Sequence, residues 1–243
     1  MDEGHSTFPS TPGTSSESYD WLPLVLQTVD PLFPTGAYAH SLGLEEIARL
    51  GVVHNEATLR DFLQRQIIPA LTRHELPFLR FAWEAVKNND LVGLGALDRE
   101  ISAWKLSREL RDASTQLGTR RLRMLRQLND DPRLAAFEQA ITCGEASGHH
   151  LIVCGLQYAD TPLPAALAAY FYQSLAGFGS AALKLIRIGQ EGCQRVLAEG
   201  LRQSPAALAE SLTIPRADAG WFNPLLEIAS MRHERAFERL FIS

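Results

Sequence analysis

The sequence predicts an all-α fold, a single compact domain of about ten helices, on three observations. Apolar residues recur at spacings of three and four, cap-and-proline pairs mark several helix starts, and alternating strand patterns are scarce. With 243 residues, 46% of them hydrophobic, the chain is long enough to bury a substantial core. We expect the domain to span residues 20–243, after a Ser-, Thr- and Pro-rich tail at 1–19 that is expected to be disordered.

Helix boundaries in the first third of the chain follow from caps and prolines. A short apolar helix is predicted over 21–29, and Ser41 is predicted to cap the next one. Asn55 is expected to cap a third helix, which Pro69 kinks or ends. A separate helix is then predicted over 78–86, so this region is expected to contain four helices.

The clearest periodicity predicts one long helix between residues 106 and 128. Its apolar positions share one stripe, with spacings of three, four and seven: Leu106, Leu110, Ala113, Leu117, Met124 and Leu128. The charged residues of this stretch occupy other faces and are expected to be solvated. Three further helix starts are predicted where a capping residue precedes proline, at Asp131-Pro132, Ser204-Pro205 and Asn223-Pro224.

An uncharged stretch at 161–183 is long enough to resemble a membrane span. It contains two prolines, two glycines and several small or polar residues, which lower its hydropathy. We therefore predict a central buried helix there, and no association with a membrane.

Charge and cysteine content narrow the class of protein. The formal net charge of −5 argues against nucleic-acid binding, which favours a basic excess. Three cysteines are too few for a disulfide framework and are typical of a reducing compartment. The N-terminal residues lack the basic and apolar regions of a secretory signal, so a cytoplasmic location is expected.

The usual catalytic and cofactor-binding motifs are missing from the sequence. It has no phosphate-binding Gly-x-x-x-x-Gly-Lys-Ser/Thr loop, no Gly-x-Ser-x-Gly elbow, no His-Glu-x-x-His and no Cys-x-x-Cys. The sequence therefore predicts no cofactor, no resident metal and no enzymatic activity of these types.

One set of soft ligands nevertheless has helical spacing. Cys143, His150 and Cys154 would lie near one face of a continuous helix and could hold a transition metal there. Glycines with much the same spacing favour the alternative, in which this face packs closely against another helix. A direct nickel carrier using these three residues remains one alternative function.

Two adjacent pairs that contain histidine are further candidate metal ligands, and one basic run is a candidate docking patch. Adjacent helical residues point about 100° apart, so neither His149-His150 nor His233-Glu234 is expected to chelate an ion. Each is predicted to be a surface or interface pair. A solvated helix face, or a docking patch for an acidic protein, is predicted for the basic run Arg120, Arg121, Arg123 and Arg126.

The segment 30–46 is the most distinctive part of the chain. Its prolines and glycines indicate tight turns before a helix, and Gly43 permits close approach of another backbone. Tyr38 offers a large rigid contact with a polar tip, a type enriched at protein interfaces. The alternative is an intrachain corner with Tyr38 packed on its own core, and composition alone does not separate the two.

Four blocks of this sequence resemble the UreF family of urease accessory proteins. They are LVLQTVDPLFPTGAYAHSLGLEE, ELRDASTQLGTRRL, AALKLIRIGQ and SMRHERAFERLFIS, and the resemblance runs over residues 21–243. The first and last blocks are specific together and stand in the family's order. Tyr38 stands where many members have Phe.

The resemblance implies an all-helical, non-enzymatic maturation factor that forms homodimers. Such proteins bind UreD, called UreH in some organisms, and recruit and regulate the GTPase UreG. The assembly docks on apo-urease and supports nickel insertion. The partner-binding residues that the family motifs imply here are Pro34, Gly36, Tyr38, His40, Ser41, Gly43, Glu45, Met231, Arg232, His233, Glu234, Arg239, Leu240 and Phe241.

A helical enzyme is the second alternative function. Its site would combine His40 and Glu45 with His149 or His150. This alternative requires a pocket that brings these side chains together.

Overall fold

A computed structural model describes residues 18–243, and 71% of these residues are helical. The described residues contain no strand, so the predicted all-α fold and single domain are confirmed. The predicted tail falls mostly on residues 1–17, which lie outside the described residues. The helices are α1 Leu22–Val29, α2 Leu44–Arg49, α3 at 56–87, α4 Leu91–Trp104, α5 Arg108–Leu128, α6 Pro132–Thr142, α7 His150–Gln157, α8 Leu163–Leu185, α9 Gln190–Leu201, α10 Ser204–Thr213 and α11 Pro224–His233.

Helix α3 is continuous where two helices were predicted. Its α-helical parts, Glu56–Phe62, Ile68–Ala70 and Leu76–Lys87, are joined by π-helical turns at Leu63–Ile67 and Leu71–Glu75. Each π turn ends one residue before the dipeptide that carries a proline, Ile68-Pro69 or Leu76-Pro77. A proline ring clashes with the carbonyl four residues earlier, and a wider turn moves that carbonyl away. Pro69 therefore neither ends the helix nor separates the 78–86 segment from it.

The core lies around α7 and α8. Every residue of α7 after His150 is buried, and α7 packs against α5 and against the Leu76–Lys87 part of α3. Helix α8 contains most of the uncharged stretch 161–183 and buries residues on several sides, as predicted for a central helix. Within 18–243, no helix combines the length and the hydropathy needed to span a bilayer.

Close backbone packing holds the loop before α7 against α5. A Cβ built on Gly118 of α5 would lie 2.0 Å from the carbonyl oxygen of Gly148. The buried carboxylate of Asp98 accepts hydrogen bonds from the backbone N–H groups of Ser147 at 2.5 Å and His149 at 2.8 Å. Gly155 similarly permits contact with Ala82, so close helix packing, the favoured interpretation of the glycine spacing, holds at this position.

Most predicted caps are confirmed, with two exceptions. The side chains of Asn55, Asp131 and Asn223 accept first-turn backbone N–H groups. Gly43, rather than Ser41, precedes α2, and Ser204 is the first residue of α10 rather than its cap. Ser41 still acts locally, because its Oγ accepts a hydrogen bond from the N–H of Glu45 at 3.3 Å.

In the long helix α5, two predictions about which residues are buried are wrong. Leu106 lies outside it and is exposed, as is Leu128 at its end, so the apolar stripe is buried only in its middle. Glu109 and Arg121 were expected on solvated faces, yet both are buried. Only Arg120 and Arg123 of the basic run are well exposed, so the run is not one continuous solvated face.

Candidate partner-docking surface

The opening segment forms a tight corner before α2. Gly36 has φ of +80° and begins a single 3-10 turn, Ala37–Ala39. Only glycine adopts this backbone conformation without strain. Tyr38 is 70% exposed, and its ring lies 5.9 Å from the Nζ atom of Lys184 in α8. The intrachain-corner interpretation is therefore wrong for this side chain, which points to solvent.

The C-terminal segment pairs directly with this corner. The N–H of Ile242 donates to the carbonyl of Ala39 at 2.8 Å, and the N–H of Leu42 donates to the carbonyl of Ser243 at 3.1 Å. His40 is buried, with its Nδ1 atom 2.7 Å from Ser243 Oγ. The two segments that carry the family motifs thus meet in space, although about two hundred residues separate them.

Glu45 holds the end of the chain in place. Its carboxylate accepts hydrogen bonds from the backbone N–H groups of Leu240 at 2.7 Å and Phe241 at 2.9 Å, and from His233 Nε2 at 2.9 Å. Burial by itself would raise the pKa of Glu45, but these hydrogen bonds outweigh it and hold the pKa below its ordinary value. The first turn of α2 therefore serves as the attachment point for residues 240–241.

His233 is buried, which corrects its expected place in a surface pair. Its Nδ1 atom lies 2.8 Å from Glu109 Oε1, while its Nε2 atom lies 2.9 Å from Glu45. Through these two contacts the ring links α11 to both α2 and α5. Its neighbour Glu234 lies at the edge and pairs with Arg108.

The rest of α11 completes the attachment. Arg232 Nε donates to the buried Glu46 carboxylate at 2.8 Å, and a Cβ built on Gly43 would lie 3.4 Å from the carbonyl of Leu226. This confirms the close approach predicted at Gly43. Arg239 lies 3.6 Å from Glu109, the same carboxylate that contacts His233.

Four apolar side chains protrude from the joined segments. Tyr38 and Leu240 are 70% and 64% exposed, Ile242 is 52% exposed, and Phe237 is fully exposed. Phe241, which lies between Leu240 and Ile242 in the sequence, is buried, and its ring centre lies 5.1 Å from Lys184 Nζ. We call Tyr38, Phe237, Leu240 and Ile242, on the paired segments 34–45 and 231–243, the docking surface. Exposed apolar groups on two adjoining segments make this surface a candidate for partner binding.

The predicted partner-binding residues divide into two groups by position. The exposed or partly exposed members are Pro34, Gly36, Tyr38, Met231, Arg232, Glu234, Arg239 and Leu240. Residues that build the surface from inside are His40, Ser41, Gly43, Glu45, His233 and Phe241. Sequence reasoning missed Glu109, Lys184 and Ser243, because nothing in their local patterns indicates contact with a distant segment.

The geometry expected for a nickel carrier is absent. Cys143 follows the end of α6 and is exposed, whereas Cys154 is buried in α7, and residues 143–149 interrupt the helix expected to join them. Within residues 18–243, no three His, Cys, Asp or Glu side chains are grouped so that they could hold a metal ion. The continuous helix on which the nickel-carrier alternative depends is therefore not formed.

The residues of the hypothetical enzyme site are also separated. His149 is buried between serines, with Nε2 2.6 Å from Ser102 Oγ and Nδ1 3.0 Å from Ser114 Oγ, so it is not the predicted surface residue. His40 and His150 line one internal cavity, but neither Glu45 nor His149 lines it. The structure therefore does not assemble the combination of His40, Glu45 and His149.

Three buried histidines make stability depend on pH. Burial lowers the pKa of His74 and His150 to about 3, helped in the latter by Arg121, and lowers that of His149 to about 4. The unfolded chain binds these protons below about pH 6.5 and the folded chain does not, so stability falls as pH falls. Unfolding in urea across a pH series should show this loss between pH 6.5 and about 4, and His74→Gln should reduce the slope by one proton. An unchanged slope in that variant would contradict the assignment.

The described residues form an all-helical protein in which two segments distant in the sequence, 34–45 and 231–243, are joined at the surface. The UreF family model matches residues 53–200. The chain is 35% identical over 219 residues to the urease accessory protein UreF of Paenarthrobacter aurescens, covering 89% of this chain and 96% of that protein. It is 32% identical over 224 residues to UreF of Actinobacillus pleuropneumoniae, covering 90% and 97%, and 31% identical over 240 residues to UreF of Haemophilus influenzae, covering 95% and 99%. The chain belongs to the UreF family of urease accessory proteins.

Proposed function

We propose that this protein is an adaptor in urease maturation. It binds UreD (UreH), recruits and regulates the GTPase UreG, and supports insertion of nickel into apo-urease. In this proposal it acts in the cytoplasm as a homodimer and catalyses no reaction itself. Membership of a family of urease accessory proteins supports the pathway, and the docking surface supports the mode of action.

The observation that carries the proposal is the joining of segments 34–45 and 231–243. Backbone pairing and the Glu45 carboxylate hold both segments, and the exposed side chains of Tyr38, Leu240 and Ile242 project outward from them. Rigid, exposed aromatic and aliphatic groups lose little entropy on binding and are typical hot spots. We assign this surface to a protein partner and propose UreD for its 231–243 side.

The missing phosphate-binding loop supports assigning GTP hydrolysis to a partner rather than to this chain. Hydrolysis of GTP needs a loop that cradles phosphates, which this sequence lacks. We therefore place nucleotide hydrolysis in UreG and positioning in this chain. Contacts of UreG with the Tyr38 side are the corresponding proposal for the second partner.

Leu240→Ala is expected to weaken capture of UreD from a co-expression lysate by roughly tenfold or more, and Tyr38→Ala to weaken capture of UreG by a similar factor, because each removes an exposed apolar anchor. Affinity purification followed by titration of the purified partner measures this loss. Val92→Ala is the matched control, since Val92 is an 82% exposed apolar residue on α4, outside the docking surface. Undiminished capture by both variants would refute the proposed surface.

Point changes are preferable to truncation for this test. Removing residues 240–243 would also delete the buried Phe241 and the Ser243 contacts with His40, so it would disturb the fold. The proposed homodimer is tested separately by light scattering on the purified chain, for which a monomer at all concentrations would exclude it.

A further inference from the structure

A cavity of about 240 Å³ lies inside the helical core. Its walls come from α3, α5, α7 and α8, and exposed residues at its rim, Ala37 and Gly177, connect it to the surface. The π turn Leu71–Glu75 places His74 and Glu75 on its wall, and π turns are frequent at functional sites. The volume is sufficient for a small polar solute with several waters.

Several polar atoms on the cavity wall have no hydrogen-bond partner among the described residues. They are His40 Nε2, His74 Nε2, Gln173 Oε1 and Trp221 Nε1. Buried polar groups are nearly always paired, so a concentration of unpaired ones around one cavity indicates a polar occupant.

Arg121 is the most unusual group on this wall. Its side chain is fully buried, and no carboxylate oxygen of residues 18–243 lies within 4.0 Å of its guanidinium. Its Nε donates to Gln157 Oε1 at 2.5 Å, and its guanidinium carbon lies 5.3 Å from the Phe33 ring and 6.0 Å from the Tyr158 ring. Its other polar contacts are long: Tyr158 OH at 3.3 Å, and the Thr28 carbonyl and His150 Nε2 at 3.4 Å each. A buried charge without a counter-ion is costly, so this guanidinium is suited to an anion.

Gln173 lies beside Arg121 and supplies an acceptor. Both side chains contact the Thr28 carbonyl, Gln173 through Nε2 at 2.5 Å, which fixes the amide so that Oε1 is free to accept. His150 Nε2 lies 3.4 Å from Arg121 NH1. Because the pKa of His150 is lowered to about 3 by burial and by Arg121, this ring is neutral and its Nε2 accepts from the guanidinium.

The other charges around the cavity limit what it can hold. Glu75 accepts a hydrogen bond from Tyr170 OH at 2.8 Å, and Glu227 accepts from the N–H of Ser107 at 2.6 Å, so both carboxylates are already engaged. Lys105 is the second cation on the wall. Two cations against two carboxylates favour an occupant of low charge, located at the Arg121 end.

We propose that Arg121 and Gln173, with His150 on the same wall, form a binding site for a small oxyanion that retains one hydroxyl, the class of hydrogencarbonate. Arg121 donates to its oxygens, and Gln173 Oε1 accepts from its hydroxyl. This inference goes beyond the proposed adaptor function and does not depend on it, because the docking surface does not include these residues.

Calorimetric titration of the full chain with sodium hydrogencarbonate and with sodium nitrate tests the site. The two anions share planar shape and single charge, but nitrate has no hydroxyl for Gln173. We expect hydrogencarbonate to bind at least about tenfold more tightly, and Arg121→Met to weaken it by at least about tenfold. Arg123→Met, on an exposed position of the same helix, is the matched control and should leave binding unchanged.

Gln173→Met provides a second variant that keeps the Arg121 charge. It should bind the two anions equally, because the hydroxyl acceptor has gone. Absence of binding to the wild-type chain, equal binding of nitrate by that chain, or undiminished binding by Arg121→Met would each overturn the proposal. A crystal structure with hydrogencarbonate that shows only water beside Arg121 would also overturn it.

Discussion

Glu45→Ala is expected to release the C-terminal segment and to lower the free energy of unfolding by about 3 kcal/mol. One carboxylate accepts from two backbone N–H groups and from the buried His233, so its removal leaves three donors unpaired. Equilibrium unfolding in urea measures the loss of stability. Amide hydrogen exchange should show faster exchange at Leu240 and Phe241.

Glu138→Ala is the control for this experiment. Glu138 pairs with Arg126 at 3.3 Å on the exposed surface, and such pairs change stability by about 0.5 kcal/mol or less. Unchanged exchange at Leu240 in Glu45→Ala would show that backbone pairing with Ala39 and Leu42 is sufficient to hold the segment.

Gly118→Ala is expected to destabilise the fold by about 3 kcal/mol. The added methyl group would lie 2.0 Å from the Gly148 carbonyl oxygen and 2.7 Å from the His150 nitrogen, both of them backbone atoms. That backbone cannot retreat easily, because Asp98 holds Ser147 and His149 by hydrogen bonds. Thermal and urea unfolding would both register the loss.

Gly177→Ala is the matched control for Gly118→Ala. Gly177 is also inside a long helix, but a Cβ there meets no atom within 4 Å. Alanine should therefore stabilise α8 by roughly 0.5 kcal/mol through its higher helix propensity. Equal effects of the two substitutions would contradict the packing described for α5 and α7.

Local signals in the sequence predicted local structure well. The caps at Asn55 and Asp131 and the buried helix α8 follow from residues within a few positions of each other. Such features depend on backbone hydrogen bonds and on apolar spacing, both of which are visible in a short window. Composition and family motifs predicted that segments 34–45 and 231–243 contain partner-binding residues, which stays a prediction, but they did not predict that the two segments pair.

Contacts between distant segments were not predictable in this way. Arg121 and Glu109 have the charge pattern of solvated helix positions, and only the tertiary packing buries them. A proline inside a helical pattern usually ends the helix, but the wide π-helical turns of α3 accommodate Pro69 without interrupting it. The attachment of residues 240–241 to Glu45 could not be predicted for the same reason, because the N–H groups that donate to its carboxylate lie almost two hundred positions away in the sequence.

The pairing of Ile242 and Ser243 with residues 39–42 has a consequence for biosynthesis. A ribosome makes the Tyr38 corner about two hundred residues before Leu240 and Ile242, so a nascent chain lacks half of the four exposed apolar side chains until translation has passed residue 242. Any partner that requires both segments would therefore bind only chains in which residues 39–42 have already paired with residues 242–243.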